Sequence, residues 1–370
     1  MTITVLNLIS TSGTSTFSFT VSPFNTPPTT EPQGSFSLQT GSNGGKTIDG
    51  CTGVKLTTVT TGQLTSPSFV MANTLINTVA QGNLTFKLAT AIFISDTIEI
   101  KFPGEMSLSI TGIIMASGNR AVQSYSVVGS VLSLVIGTGT QLFLANTVIT
   151  LLISSVGNPP STATTGTFSI STKRSNYGID SLVQSLTYTA TSGVLSASLS
   201  ASVLEIGATS VYTLQVTFTN KVTSAGVLYI TFPNVFTMAS GTFSCTSNAS
   251  ISTTCNYASS SRTMTVTSIS TSGVNSGTTV SLTINGITNP ISVGSFQSLS
   301  LASTYNSSSD YVDTLSSGLS LTLTTRLLPA SNVAISASAS TVYTLTTMTI
   351  TITNQNPLAI SSLLYIVIPS

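Results

Sequence analysis

The sequence predicts an all-β fold of tandem antiparallel β-sandwiches of about 130 residues each, with a partial sandwich at each end of the chain. Three observations predict it: apolar and polar residues alternate, hydroxyls replace charges, and one strand pattern occurs three times. The copies are DTIEIKFPG, GVLYITFPN and SLLYIVIPS, which close on Pro103, Pro233 and Pro369. Proline has no amide hydrogen and so ends a strand ladder. The spacings between these prolines are 130 and 136 residues, the size of a domain.

The composition substitutes hydroxyl groups for charges. Charged residues are 5% of the chain, against about 25% in ordinary soluble proteins. Serine and threonine together number about 130 of the 370 residues. An apolar fraction of 41% and a mean hydropathy of +0.44 favour folded β structure over disorder. The net charge is +1 and the basic residues are scattered, so nucleic acid is not expected as a partner.

No apolar run in the sequence is long enough for a membrane-spanning helix. The nearest stretch, SVLSLVIGTGTQLFLANTVITLLISSV, is interrupted by Gly, Thr and Asn. The first residues, MTITVLNLIS, have neither the basic start nor the cleavage pattern of a secretory signal. If the protein is secreted, its signal was removed or lies outside this chain.

The elements divide the chain into four predicted parts. Residues 1–64 resemble the back half of a repeat, and residues 65–195 form the first complete sandwich, with a clear strand in NLTFKLA. Residues 196–321 form the second complete sandwich, in which VYTLQVTFT alternates over a full strand length. Residues 322–370 form the front half of a third repeat. A parallel β-helix is the alternative for such a chain, but its repeat is much shorter.

Short patterns mark positions that we interpret as equivalent between repeats. They are ITVLNLIS with VITLLISSVGNPP and TVSLTINGITNP; Asn158-Pro159 with Asn289-Pro290; Phe17 with Phe168 and Phe296; Ile48-Asp49 with Ile179-Asp180 and Val312-Asp313; and VYTL at residues 211–214 and 342–345. The interval between Phe17 and Asp49 holds VSPFNTPPTTEPQGS, which we interpret as an insertion. Its four prolines favour extended geometry, so it is either a solvated loop or a clasp.

Residues suited to catalysis are scarce, and the chain is not expected to be an enzyme. It contains no histidine, which removes histidine-based triads and most zinc sites. The carboxylates are dispersed, and Asp310 with Asp313 is the nearest to a pair. We expect Asp313 to accept hydrogen bonds from turn amides. The stretch IGTGT lacks the third glycine of a nucleotide loop, and no cofactor or metal site is predicted.

The cysteines and sequons indicate an oxidising, extracellular compartment. Cys245 and Cys255 flank TSNASISTT, a length that suits two strands joined by a turn, and we predict a disulfide between them. The alternative is two buried thiols. Cys51 is left over, as a buried thiol or an intermolecular bridge. Candidate glycosylation sites, some of which can arise by chance in a chain rich in Ser and Thr, are Asn83, Asn248 and Asn306.

These features together resemble a known style of extracellular protein. Hydroxyl-coated, nearly uncharged tandem sandwiches with a hairpin disulfide are similar to filament-forming chains of immunoglobulin-like domains and to the large repeat-containing surface proteins of protists. Bacterial adhesins and pilus-like filaments share this style. The resemblance implies an immunoglobulin-like fold, a location outside the cell or at its surface, and a structural or adhesive role.

The two partial repeats suggest how such a chain assembles. One molecule's residues 322–370 can meet the next molecule's residues 2–64 and close a sandwich between them, in a donor-strand-like, head-to-tail homopolymer. The candidate assembly residues are Ile3, Val5, Leu8, Leu364, Tyr365, Ile366, Val367 and Ile368. About 45 residues of a full repeat have no counterpart in either partial repeat, so the closed sandwich is smaller, or the chain is a window of a longer one. The alternative function is an adhesin that binds a glycan or protein through exposed loops.

Overall fold

The computed structural model describes residues 18, 20–23, 25–42, 45–55, 58–117, 121–137, 143–250, 252–291, 294–304, 310–326, 328–355 and 363–367. The described residues form an all-β structure with one 3-10 turn at Ala330–Asn332. This confirms the predicted fold class, in which strands of alternating pattern pair into facing sheets.

The first sandwich contains ten strands. They are β3 (Gly62–Met71), β4 (Val79–Lys87), β5 (Thr97–Lys101), β6 (Ser107–Leu108), β7 (Ile113–Met115), β8 (Val122–Val128), β9 (Val131–Ile136), β10 (Val148–Gly157), β11 (Ser169–Arg174) and β12 (Tyr177–Leu182). Strand β3 belongs to both sheets. Residues 65–71 pair antiparallel with β4, which pairs with β10, whereas residues 62–64 pair parallel with β12. The second sheet continues from β12 through β11, β5 and β9 to β8.

The second sandwich repeats this topology. Its strands are β13 (Gly193–Val194), β14 (Ser196–Ala201), β15 (Thr209–Thr217), β16 (Leu228–Thr231), β17 (Gly241–Phe243), β18 (Cys245–Ser247), β19 (Thr254–Ala258), β20 (Thr263–Thr267), β21 (Thr279–Thr288), β22 (Gly294–Thr304) and β23 (Tyr311–Leu323). One sheet has the order β14-β15-β21-β18, and the other has the order β13-β23-β22-β16-β20-β19-β17. In the first sandwich, β3 joins both sheets. In the second sandwich this role is divided between two strands: β13 pairs parallel with β23 in one sheet, and β14 pairs antiparallel with β15 in the other.

The core of each sandwich follows from the two-residue period of its strands. In β4 and β10, alternate residues such as Leu84, Phe86 and Leu151 are fully buried, and their neighbours face outward. Strand β5 contributes Ile98 and Ile100 from the facing sheet. Burial of one face of strands such as β4, β5 and β10 stabilises the sandwich, and the opposite face is more exposed.

The first two copies of the proline-terminated strand are inner strands. Strand β5 lies between β11 and β9, and β16 lies between β22 and β20. Phe102 and Phe232, which precede the prolines, are buried. In the third copy, residues 363–367 are described, and they are exposed and outside any strand.

Two buried asparagines fasten the loop that follows the first strand of each sandwich. Asn158 Nδ2 donates to the carbonyls of Asn73 and Leu75, both at 2.7 Å. Asn289 Nδ2 donates to the carbonyls of Val203 and Glu205 in the same way. These are the asparagines of the Asn-Pro dipeptides, so the marker has a packing role beyond a turn.

Two hairpins flank the sandwiches. The leading hairpin consists of β1 (Phe36–Gly41) and β2 (Thr47–Val54), which pair antiparallel. The trailing hairpin consists of β24 (Val333–Ala337) and β25 (Met348–Ile352), also antiparallel. The second VYTL copy, residues 342–345, lies between these two strands and is exposed, although residues 211–214 form part of β15. VYTL therefore does not mark structurally equivalent positions in the second and third repeats. The domain boundaries at 64, 195 and 321 remain predictions.

Candidate assembly surfaces

The leading hairpin has the same internal geometry as hairpins β11–β12 and β22–β23. In each, a hydroxyl side chain lies opposite the aspartate and accepts a hydrogen bond from its backbone N–H, at 3.1, 3.0 and 3.2 Å in chain order. These pairs are Thr40 with Asp49, Thr172 with Asp180, and Ser303 with Asp313. A register shift follows directly after the hydroxyl residue in all three. The leading hairpin is therefore the structural counterpart of the last two strands of a sandwich.

This register corrects the proposed equivalence of Phe17. Counting four residues back from the hydroxyl residue, Phe36 corresponds to Phe168 and Leu299. Phe17 lies outside the described residues, and Phe296 occupies a different register position in β22. The hydrophobe before Asp, Ile48, does match its predicted counterparts Ile179 and Val312. The matching failed at Phe17 because single phenylalanines are weak markers in a chain of such low complexity.

The proline-rich stretch is a docked connector, and its interpretation as an insertion was wrong. Thr30 donates its N–H to the carbonyl of Gly178 at 2.9 Å, and its hydroxyl accepts from the Gly178 N–H at 3.0 Å. Thr162 makes the same two bonds with Tyr311, at 3.0 and 3.1 Å. The connector Pro27-Pro28-Thr29-Thr30 thus corresponds to Pro159-Pro160-Ser161-Thr162. The connector Pro27–Thr30 contacts the first sandwich in the same way as residues 159–162 of the first sandwich contact the second sandwich. Thr29 is buried in this contact. The clasp alternative describes it better than a solvated loop.

The apolar side chains of the leading hairpin are exposed, although their counterparts form the core of the sandwiches. Ile48 is 66% exposed, whereas Ile179 is 3% exposed and Val312 is fully buried. The same holds for Phe36 and Leu38, which are 42% and 48% exposed. The counterparts of Phe36 are Phe168 and Leu299, and those of Leu38 are Ile170 and Leu301. All four counterparts are buried. This hairpin therefore presents a core-type face to solvent.

The trailing hairpin exposes the complementary face. Ser338 Oγ accepts from the Thr347 N–H at 2.9 Å, and Thr346 Oγ1 accepts from the Ala339 N–H at 3.0 Å. Ser202 and Ser210 make the same two bonds with Val211 and Val203 at the end of β14 and β15. These bonds align the trailing hairpin with β14 and β15 at an offset of 136 residues. Met348 therefore corresponds to Tyr212, and Met348 is 52% exposed whereas Tyr212 is 1% exposed. The trailing hairpin is thus the counterpart of the first two strands of a sandwich, and no described residues cover it as the second sheet covers β15.

Residues 363–367 expose both of their faces. Leu364, Tyr365, Ile366 and Val367 are between 51% and 91% exposed, whereas Leu228 and Ile230 at the corresponding positions of β16 are 1% exposed. These four residues are candidate assembly residues from the sequence. The other four, Ile3, Val5, Leu8 and Ile368, lie outside the described residues.

The disulfide joins Cys245 and Cys255, whose Cα atoms are 6.1 Å apart. It links β18 of one sheet to β19 of the other. Cys51 is an exposed free thiol, so the prediction of a buried thiol was wrong, and the alternative of an intermolecular bridge stays a prediction. Its counterparts Leu182 and Leu315 are partly buried against the core.

Two of the three candidate glycosylation sites are described. Asn83 is exposed on β4, and Asn248 is exposed after β18. The Asn248 side-chain oxygen accepts a hydrogen bond from the Ser281 N–H at 2.9 Å, which leaves its Nδ2, the atom that carries a glycan, outside that contact. Asn306 lies outside the described residues.

Ionisable groups serve packing in the part of the chain that the structure describes. Arg174 contacts the buried Asp96 with two hydrogen bonds of 2.9 and 2.8 Å, and these bonds raise the pKa of the guanidinium. Burial raises the pKa of the Tyr212 phenol, which donates to Asn289 Oδ1 at 2.7 Å. The described residues hold no group of three or more His, Cys, Asp or Glu side chains suited to a metal ion. They also include no helix with the length and apolarity that crossing a bilayer requires.

No protein-family model and no curated protein matches the chain. Among solved structures, it is similar to a type II cohesin dyad from the adaptor ScaA scaffoldin of Acetivibrio cellulolyticus, at 10% identity over 68% of this chain and 89% of that chain, with a TM-score of 0.20. It is also similar to the serine-rich repeat adhesion glycoprotein Srr1 of Streptococcus agalactiae, at 11% identity over 69% and 97%, with a TM-score of 0.20. The serine-rich repeat protein Srr2 of the same organism shares 12% identity over 69% and 93%, with a TM-score of 0.18. At these TM-scores the likenesses carry no inference about function.

Proposed function

We propose that the chain is a structural subunit of an extracellular fibre or surface coat, and that copies join head to tail. In each junction the leading hairpin of one copy and the trailing hairpin of another close a sandwich between them. The observation that carries the proposal is the exposure of core-type side chains on two hairpins that correspond to opposite parts of one sandwich. Exposed apolar faces and open strand edges favour association.

Residues 363–367 are the third component of the proposed junction. In the second sandwich, Ile230 of β16 pairs with Leu301 of β22. The counterparts of these two residues are Ile366 in the last described segment and Leu38 in the leading hairpin. Pairing between them adds main-chain hydrogen bonds to the apolar contact, as in other strand-addition complexes. Such a contact is heterologous, so its repetition gives a fibre.

The surface chemistry supports a passive, extracellular role. The Cys245–Cys255 disulfide persists in oxidising compartments. Ser and Thr hydroxyls cover the outer faces, and covalent glycans on Asn83 or Asn248 would add solubility to a chain with 5% charged residues. Mass spectrometry of native material tests this part, since peptides that contain these asparagines and carry no hexose would refute glycosylation there.

Sedimentation velocity across a concentration series, followed by negative-stain microscopy, tests assembly. We expect association that grows with concentration and filaments with a regular axial repeat. Monodisperse particles at every concentration would contradict head-to-tail assembly. If such particles also bound a glycan array, the adhesin function would be favoured instead.

A further inference from the structure

The loop between the first two strands of each complete sandwich is held by three main-chain hydrogen bonds. In the first sandwich, the Asn77 N–H donates to the carbonyl of Pro159, in the Asn-Pro dipeptide, at 3.1 Å. The Ile76 N–H donates to the Thr191 carbonyl at 3.0 Å. The Thr191 N–H donates in return to the Thr74 carbonyl at 2.7 Å. The loop therefore lies between the Asn-Pro dipeptide and Thr191.

The second sandwich holds the loop between β14 and β15 in the same way. The Gly207 N–H donates to the Pro290 carbonyl at 3.1 Å. The Ile206 N–H donates to the Thr324 carbonyl at 3.1 Å, and the Thr324 N–H donates to the Leu204 carbonyl at 2.9 Å. The three bonds are thus a feature of the repeat, and each satisfies main-chain groups of the loop.

The trailing hairpin contains a loop of the same conformation between β24 and β25. At the offset of 136 residues, Tyr343 corresponds to Gly207, and their φ angles are 62° and 65°. A left-handed backbone is uncommon for a tyrosine, so the shared value marks the same turn. The Thr344 N–H donates to the Thr341 carbonyl at 3.3 Å, and the corresponding bond of the second sandwich is 3.4 Å. Residues 339–343 are therefore already arranged like the loop of a complete sandwich.

The leading part of the chain contains the two positions that hold such a loop. Thr60 precedes Gly62 by two residues, as Thr191 precedes Gly193, and each glycine pairs parallel with the aspartate in the last strand of its sandwich. Pro27, in the docked connector, has the position of the proline in the Asn-Pro dipeptides. No loop among the described residues donates a main-chain hydrogen bond to either of them.

A cavity of about 440 Å³ lies between these two positions. It is lined by residues 25–29 of the connector, by residues 59–62, and by Thr90, Gly178 and Ile179. None of these lining residues is charged, which suits an uncharged segment such as residues 339–343, ASTVY. In each complete sandwich the loop lies between the corresponding proline and threonine.

We infer that this cavity binds residues 339–343 of a second copy's trailing hairpin. In this contact the Tyr343 N–H donates to the Pro27 carbonyl, the Val342 N–H donates to the Thr60 carbonyl, and the Thr60 N–H donates to the Ser340 carbonyl. The inference rests on the proposed head-to-tail assembly and names the segment that fixes its register. Apolar faces alone allow strands to slip, whereas a loop bonded at two fixed positions permits one alignment.

Val342 and Leu345 provide a matched pair of substitutions in this loop. Their side chains are 83% and 101% exposed, so a change of either to aspartate should leave the unfolding temperature unaltered. Ile76, at the position of Val342 in the first sandwich, is fully buried, whereas Thr209, at the position of Leu345 in the second, is exposed. Val342→Asp should therefore weaken association at least about tenfold, because it buries an unpaired carboxylate. Leu345→Asp should associate like the wild type.

Thr26 offers a substitution that should strengthen the contact. It precedes Pro27 and has the position of Asn158, whose Nδ2 donates to two carbonyls of the loop, both at 2.7 Å. Thr26→Asn supplies this donor to the carbonyls of Ala339 and Thr341 in the second copy, so we expect association about fivefold tighter or more. Thr26→Asp has the same size but sets carboxylate oxygens against those carbonyls. It should associate at least about tenfold more weakly than Thr26→Asn.

Sedimentation equilibrium of the full-length variants separates this contact from the assembly on which it rests. If the wild-type chain does not associate, head-to-tail assembly and this contact are both overturned. If the wild type associates and Val342→Asp matches Leu345→Asp, assembly stands and the contact is refuted. The contact is also refuted if Thr26→Asn and Thr26→Asp associate equally.

Discussion

The pair Ile48 and Ile179 allows one substitution to be tested at the same structural position in two environments. Ile179 is 3% exposed in the first sandwich, and replacing a core isoleucine by alanine costs about 2 to 5 kcal/mol. Ile48 is 66% exposed in the leading hairpin, so Ile48→Ala should change the free energy of unfolding by less than about 0.5 kcal/mol. In an assembled junction, Ile48 would be buried as Ile179 is. Since about 1.4 kcal/mol is a tenfold change in affinity, Ile48→Ala should weaken association about thirtyfold or more.

Two measurements on the full chain check this prediction. Urea unfolding followed by circular dichroism, at a concentration where the wild type is monomeric, should show a loss for Ile179→Ala and none for Ile48→Ala. Sedimentation equilibrium should show weaker association for Ile48→Ala. The reasoning is refuted if Ile48→Ala destabilises the monomer as much as Ile179→Ala does, or if it leaves the association constant unchanged.

Three further predictions concern the disulfide, a glycine and the free thiol. Reduction of the Cys245–Cys255 bond, which closes a short loop, should lower the free energy of unfolding by about 2 to 3 kcal/mol in urea titrations, and an unchanged value would contradict its stabilising role. Gly193→Ala places a methyl group against the Asp313 carboxylate and should cost about 1 to 3 kcal/mol by the same titration. Gly104→Ala, which meets no atom within 4 Å, is its control, and equal effects would contradict the packing argument. Cys51 should react with a thiol reagent in the monomer and be protected in filaments, and equal rates in both would argue against burial of the leading hairpin.

The strand pattern, the fold class and the role of the aspartates could be predicted from the sequence because each depends on local chemistry. Alternation in TIEIK and LYIT predicted two inner strands, and the structure places β5 and β16 there. Asp313 was expected to accept from turn amides, and it does so from Asn220. The disulfide was predicted from a spacing that suits adjacent strands; the structure contains the bond, but it joins β18 and β19 of different sheets.

The equivalence of Ile48 was predicted correctly, but those of Phe17 and of the second VYTL were not, because register depends on pairing between distant residues. In a chain with about 35% Ser and Thr, short matches such as VYTL occur without structural meaning. Residues 342–345 lie in a loop because MTITI, which alternates β-branched residues, takes the strand position instead. The hydroxyl opposite Asp49 and the docked Thr30 became visible as repeat features only through their hydrogen bonds. Exposure of Ile48 likewise depends on pairing and packing around the hairpin, which its local sequence does not specify.

The central claim is that the leading hairpin of one copy contacts residues 363–367 of another. In the second sandwich, Leu301 and Ile230 are register partners on neighbouring strands. Cysteines at their counterparts, Leu38 and Ile366, should therefore lie close enough to form a disulfide across an assembled junction.

The most direct test is disulfide trapping between two chains in a Cys51→Ser background, one with Leu38→Cys and the other with Ile366→Cys. Under mild oxidation we predict a covalent heterodimer in high yield, with the new bond identified by mass spectrometry. A chain with Leu345→Cys, at a fully exposed loop position, replaces the Ile366→Cys chain in the control. A heterodimer yield no higher than that of the control would contradict the account.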